Sequence, residues 1–153
     1  MAELKDRIRA DMTAALKARD ELRTSTLRMV VAAINNAEVA GSQARELSDD
    51  DVQTVVASEA KKRRESAVAF AQAGRQELAD KETAEAAILA DYLPQQLSAD
   101  EVAAIVADVV ASTGSAGQGM KAMGRVMGAV QPQVKGRADG AAVAAEVRRQ
   151  LGA

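Results

Sequence analysis

The chain has 153 residues, a net charge of −2, and neither cysteine nor histidine. At this length a protein buries about 70% of its unfolded surface, so a core forms without disulfides. The missing residue types exclude thiol nucleophiles, Ser-His-Asp triads and zinc-hydrolase mechanisms. Two aromatic residues, Phe70 and Tyr92, are too few to grip single-stranded nucleic acid by stacking. We therefore expect no metal and no cofactor.

Composition predicts an all-α fold. Alanine supplies 35 residues, and the other frequent residues are mostly strong helix formers. Only two prolines and ten glycines interrupt the chain. The N-terminus mixes both charge signs and has no apolar stretch of the kind found in signal peptides. No apolar run approaches the roughly 18 residues of a membrane span. We therefore expect a cytoplasmic protein without a membrane partner.

Hydrophobic periodicity predicts four helices before Pro94. These helices are expected at residues 2–19, 20–40, 49–73 and 76–91. Gly41 is expected to end the second helix in a left-handed conformation, and Gly74 to end the third. Ser48 is expected to cap the start of the third helix, with acidic residues in its first turn.

Three shorter helices are predicted after Pro94. The fifth helix begins at Ser98-Ala-Asp-Glu101, which has the pattern of a capping box. The sixth is expected at about residues 120–130, followed by a loop that contains Pro132. Asp139 is expected to cap the seventh. The chain is thus predicted to have an N-terminal four-helix domain, residues 1–93, and a small three-helix C-terminal domain, residues 94–153.

Two features of the sixth helix are expected to serve packing. Met120, Met123 and Met127 recur at helical spacing and are predicted to face the core, although exposed methionines would form an adaptable partner groove. Gly124 and Gly128 form a small-residue face, which is expected to let another helix approach closely.

Four charged residues lie on faces of the third and fourth helices that should be apolar. A helical wheel places Glu59 and Arg63 with the buried side of the third helix, and Glu82 and Glu85 with that of the fourth. We interpret them as a structural ion-pair network, because buried charges persist only when paired. The alternative is a polar site in which paired carboxylates act as acid and base. We assign no catalytic residue.

Residues 114–138 form the basic part of the chain. They contain Lys121, Arg125, Lys135 and Arg137 and no acid, a local charge of +4, so that the other residues sum to −6. A basic patch on an acidic body is typical of polyanion binding. Surface solubility explains such a cluster equally well.

Three segments of the chain resemble the GatB/YqeY family. They read LRMVVAAINNAEV, EAKKRRESAVAFAQAGRQELADKETAEAAILADYLPQQLSADEV and MGRVMGAVQPQVKGRADGAAVAAEV. Their order and spacing resemble the stand-alone YqeY-like members over nearly the whole chain. The third segment is similar to the tail domain of the GatB subunit of glutamine-dependent aspartyl/glutamyl-tRNA amidotransferase.

The resemblance implies a tail domain that holds tRNA while chemistry occurs elsewhere. It favours a non-catalytic RNA-binding accessory module in tRNA-dependent amidation, in which the four basic residues contact structured RNA and the expected RNA is tRNA. An amidotransferase or a synthetase is the implied protein partner. One alternative is a carbon–nitrogen ligase with glutamine as amide donor, alone or with a partner, using Glu59, Glu82 or Glu85. The other alternative is a protein-interaction adaptor.

Overall fold

The computed structural model describes residues 2–153, and every regular element in that range is helical. The α-helices are α1 (Glu3–Lys17), α2 (Glu21–Val39), α3 (Asp49–Gln72), α4 (Gln76–Ala90), α5 (Ala99–Ser112), α6 (Met123–Val134) and α7 (Gly140–Leu151). A 3₁₀ turn, Gly119–Ala122, leads directly into α6. No strand occurs between residues 2 and 153, and the all-α prediction is confirmed.

The helices belong to two compact units that divide between Leu93 and Pro94. In the first unit α3 packs mainly on α4, and α1 on α2. Its core contains the fully buried side chains of Ile8, Leu27, Val30, Ile34, Val52, Val56 and Leu89. The second unit contains α5, α6 and α7, and its core is mostly valine, with Val106, Val126, Val130, Val143 and Val147 completely buried.

The predicted caps begin three of the helices. Ser48 Oγ accepts a hydrogen bond from the Asp51 amide at 3.2 Å, and Ser98 Oγ accepts one from the Glu101 amide at 3.1 Å. In both cases the acidic side chain accepts a bond from the serine amide in return, which completes a capping box. Asp139 caps α7 as predicted. Side-chain oxygens thereby satisfy amides that have no partner inside a helix.

The prediction for Gly41 was wrong. Helix α2 ends at Val39, Ala40 keeps right-handed helical angles, and Gly41 is not among the residues with positive φ. A side chain secures this helix end instead. Glu38 is paired with Lys5 and accepts a hydrogen bond from the Leu47 amide at 3.2 Å. These two partners lower the pKa of Glu38 below its ordinary value.

The predicted loop at Pro132 was also wrong, because α6 continues through the proline to Val134. Proline lacks an amide hydrogen, so the bond to the Gly128 carbonyl is lost. Gly128 is exposed, which leaves its surroundings open to water. Burial of Val134 in the core favours the last turn.

The turn between α1 and α2 contains the one non-glycine residue with positive φ in the described chain, Arg19 at 57°. The Arg19 amide donates to the Leu16 carbonyl at 3.1 Å, and the Asp20 amide to the Ala15 carbonyl at 3.0 Å. These bonds close the end of α1, a position at which glycine is usual. A side chain in this conformation costs roughly 1–2 kcal/mol.

The end of the first unit is fixed by Tyr92. Its hydroxyl donates to Asp11 Oδ2 at 2.6 Å and accepts from Arg23 Nη2 at 3.3 Å. The Arg7 guanidinium lies over the ring, 4.9 Å from its centroid. Burial, and then the hydrogen bond to Asp11, raise the pKa of Tyr92 to about 12. The side chain therefore remains neutral well into the alkaline range.

Replacing Arg19 with glycine should stabilise the protein by about 1 kcal/mol, because it removes the left-handed strain. Urea unfolding followed by circular dichroism measures the change. Arg64→Gly, on the exposed side of α3, is the matched control and should lose about 1 kcal/mol. A stability loss in Arg19→Gly would show that the side chain contributes more than its strain costs.

Tyr92 is the only tyrosine and the chain has no tryptophan, so absorbance at 295 nm follows its ionisation alone. We expect a midpoint near 12, and a lower midpoint in Asp11→Asn because the acceptor's charge is removed. The folded-state pKa of Tyr92 lies above the ordinary value of 10. The neutral Tyr92 hydroxyl therefore makes its full contribution to the stability of the fold below pH 10. This contribution is lost as the pH rises towards 12. An ordinary midpoint near 10 in the folded protein would contradict both the burial of the Tyr92 hydroxyl and its hydrogen bond to Asp11.

Candidate functional site

In the first unit, Arg63 of α3 lies between three carboxylates. Its Nε is 3.5 Å from Glu82 Oε2, its Nη1 is 3.6 Å from Glu85 Oε2, and its Nη2 is 4.0 Å from Glu59 Oε2. Glu85 is only 4% exposed. The structure thus brings together the four residues that sequence analysis placed on the buried faces of α3 and α4. We name them the Arg63 cluster.

The Arg63 cluster has more negative than positive charge. Lys62, which is exposed, supplies a second cation to Glu59 at 3.1 Å. Oε2 of Glu82 and of Glu85 are buried without a hydrogen-bond partner among residues 2–153, and their attraction to Arg63 is ionic. No group of acidic side chains in this range is arranged to hold a metal ion. Removal of Arg63 would therefore leave buried carboxylates without compensation.

In the second unit, two of the predicted RNA-binding residues are unengaged. Lys121 lies in the 3₁₀ turn that precedes α6, and Lys135 directly follows the last residue of α6. Both side chains are exposed and make no hydrogen bond or ion pair within the described residues. Each of the two lysines can therefore bind an anion without breaking a contact within the protein.

Arg125 fastens the glycine-rich loop to α6. Its Nη2 and Nε donate to Ser115 Oγ at 3.1 and 3.3 Å. Thr113 Oγ1 lies 2.6 Å from Ser115 Oγ and itself donates to the Val109 carbonyl at 2.7 Å. Because the threonine proton is committed to that carbonyl, Ser115 donates to Thr113. The hydrogen bonds form one chain from Arg125 to α5. Sequence analysis missed Ser115, whose burial has no local sequence signal.

Arg137 fastens the start of the second unit. Its Nε donates to the Gln95 carbonyl at 3.2 Å. Its own carbonyl accepts from the Leu97 amide at 2.8 Å, and Gln96 Nε2 donates to the Gly136 carbonyl at 2.9 Å. Thus Arg125 and Arg137 each have a structural contact, whereas the two lysines have none.

The packing roles expected for α6 were partly wrong. Gly124 and Gly128 are exposed, and a Cβ added to either would meet no atom within 4 Å. Met120 is 60% exposed, whereas Met123 and Met127 are partly buried against the core. The 3₁₀ turn changes the helical phase ahead of α6, which separates Met120 from the other two methionines. The buried positions belong to Val126, Val130 and Val134.

Replacing Arg63 with methionine should destabilise the protein by about 3 kcal/mol, because buried carboxylates lose their cation. The comparison is Arg64→Met, an exposed neighbour whose effect should stay within about 0.5 kcal/mol. Chemical unfolding of both variants gives the difference. A loss below about 1 kcal/mol in Arg63→Met would show that the cluster is as weak as a surface ion pair.

No helix among residues 2–153 has the length and apolar character needed to cross a bilayer.

Comparison with known proteins supports the family expected from the three segments. No curated protein matches the chain in sequence. The sequence pattern that defines the YqeY-like proteins matches residues 5–151, which is nearly the whole chain. The chain therefore belongs to the YqeY-like protein family.

Proposed function

We propose that this protein binds structured RNA, and most specifically tRNA, through α6 and the segments at its two ends. The observation that carries the proposal is the exposed face of Gly124 and Gly128. A glycine inside a helix costs about 1 kcal/mol relative to alanine. Neither glycine is needed for packing, because nothing lies where a Cβ would stand. A helix face without side chains lets a rigid polyanion approach the backbone closely.

The charges support the same surface. Helix α6 has 12 residues, so it is roughly 18 Å long. Lys121 precedes it and Lys135 follows it, which provides an unpaired cation near each end. Arg125 and Arg137 add charge, and residues 114–138 contain no acid. Phosphate contacts of this kind recognise shape, and they need no aromatic stacking.

The biological setting is part of the proposal. We propose that Pro94–Ala153 is a counterpart of the GatB tail domain, carried by the four-helix N-terminal part. In this proposal the protein is a non-catalytic accessory of tRNA-dependent amidation in the cytoplasm, and an amidotransferase or a synthetase is its protein partner. The support is the similarity of the third sequence segment to the GatB tail and the cations around α6.

A tRNA titration at several salt concentrations tests the RNA surface. The double variant Lys121→Ala/Lys135→Ala should bind more weakly and reduce the salt slope by about 2, one for each phosphate that is no longer neutralised. Gly124→Ala/Gly128→Ala should stabilise the helix by about 1–2 kcal/mol and yet weaken binding, because methyl groups would stand on the RNA-facing surface.

The control is Arg64→Ala/Lys81→Ala, which removes the same charge from exposed positions of the first unit. An equal loss of affinity in this control would reduce the proposal to non-specific attraction. Unchanged affinity in both α6 variants would exclude this surface. Glutamine hydrolysis by the isolated protein, abolished in Glu85→Gln, would instead support the amide-transfer alternative.

A further inference from the structure

Five exposed residues form one line along α6 and the residues that flank it. We name this line the α6 stripe, and its members are Lys121, Gly124, Gly128, Gln131 and Lys135. The last four follow one another at intervals of four, three and four residues, close to the roughly 3.6 residues of a helical turn, so they share a face. Lys121 lies in the 3₁₀ turn, where residues three apart are aligned.

The polar side chains of the α6 stripe have no partner within the described part of the chain. Lys121, Lys135 and Gln131 make neither an ion pair nor a side-chain hydrogen bond there. Gln133, the other glutamine of α6, points to a different face and donates to the Ala129 carbonyl at 3.3 Å. The stripe therefore presents one free amide together with two free cations.

The middle of the α6 stripe is low and its ends are high. Gly124 and Gly128 leave the helix backbone uncovered, and the nearest side chains along the stripe are those of Lys121 and Gln131. Fourteen residues separate the two lysines, so their Cα atoms are roughly 21 Å apart along the axis. A ligand that matches the stripe has a broad, shallow surface with negative charge at both edges.

We infer that the α6 stripe binds the minor groove of an A-form RNA duplex. The inference rests on the proposed RNA-binding function and names the part of the RNA that is recognised. In A-form RNA this groove is wide and shallow, and it displays 2′-hydroxyl groups and base edges between the two phosphate backbones. The glycines admit the groove surface to the helix backbone, and the two lysines neutralise phosphates at its edges. The Gln131 amide bonds to a 2′-hydroxyl, because both groups donate and accept.

Other nucleic-acid surfaces match the α6 stripe less well. The A-form major groove is too deep and narrow for side chains to read. The minor groove of B-DNA is about 6 Å wide, whereas a helix with its side chains is roughly 10–12 Å across. The B-DNA major groove admits a helix, but it is about 8.5 Å deep and is read by side chains that the glycines lack. Single strands are gripped by aromatic stacking, and both aromatic residues belong to the first unit.

Displacement of labelled tRNA from the full chain tests the inference with four unlabelled competitors. They are an RNA duplex of about 16 base pairs, the DNA duplex of the same sequence, one unpaired RNA strand, and the RNA duplex with 2′-O-methyl groups. The unmodified RNA duplex should displace tRNA. The other three should each bind about tenfold more weakly or worse, because they lack the A-form groove, lack a duplex, or carry methyl groups in the groove.

Gln131→Ala separates a groove contact from attraction to phosphates. The variant removes no charge, so it should weaken binding of the RNA duplex about fivefold or more and leave the salt slope unchanged. It should also reduce the preference for the RNA duplex over the DNA duplex. Gln133→Ala, the same substitution on another face of α6, is the matched control and should bind like the unaltered protein.

The inference and the proposed function fail in different ways. Suppose that tRNA binding depends on Lys121 and Lys135. Equal displacement by the DNA or 2′-O-methyl duplex, no displacement by the RNA duplex, or unchanged affinity in Gln131→Ala then overturns the minor-groove inference and leaves the proposed function standing. Absence of tRNA binding, or binding that is indifferent to both lysines, overturns the two together.

Discussion

The Arg63 guanidinium links α3 to α4 through ion pairs in a mostly buried setting. Arg63 attracts carboxylates from its own helix and from α4, at distances of 3.5 to 4.0 Å. The sequence has few aromatic side chains with which to fill the space between α3 and α4, since it contains one phenylalanine and one tyrosine. The Arg63 cluster occupies part of that space, and its carboxylates remain there because the opposite charge is present. The first unit combines this cluster with an apolar core, whereas the core of the second unit is made mainly of valine.

Local hydrogen-bonding rules made the helix starts predictable. Ser48, Ser98 and Asp139 each lie directly before a helix. A short polar side chain at that position accepts a hydrogen bond from an unpaired backbone amide of the first turn. The errors at Gly41 and Pro132 arose where longer-range contacts decided the outcome. After α2, the Glu38 side chain holds the chain by accepting a hydrogen bond from the Leu47 amide. In α6, burial of Val134 extends the helix beyond Pro132.

The candidate sites were predictable only in part. Helical geometry placed Glu59, Arg63, Glu82 and Glu85 on facing surfaces, since a wheel reports which way each side chain points. The wheel could not show whether Gly124 and Gly128 lie in a packed interface or face solvent, because their spacing along the sequence is the same in both cases. The left-handed Arg19 had no signal either, because the residue there is not glycine.

The hydrogen bonds of Arg125 have a consequence for the loop beside α6. Its guanidinium is already occupied by the buried hydroxyl of Ser115 and by Gln118. A phosphate that recruits the same nitrogens competes with that hydroxyl, and success loosens the tether on residues 114–118. If the proposed RNA surface binds phosphate through Arg125, its occupancy is thermodynamically linked to the order of the glycine-rich loop, and polyanion binding decreases that order.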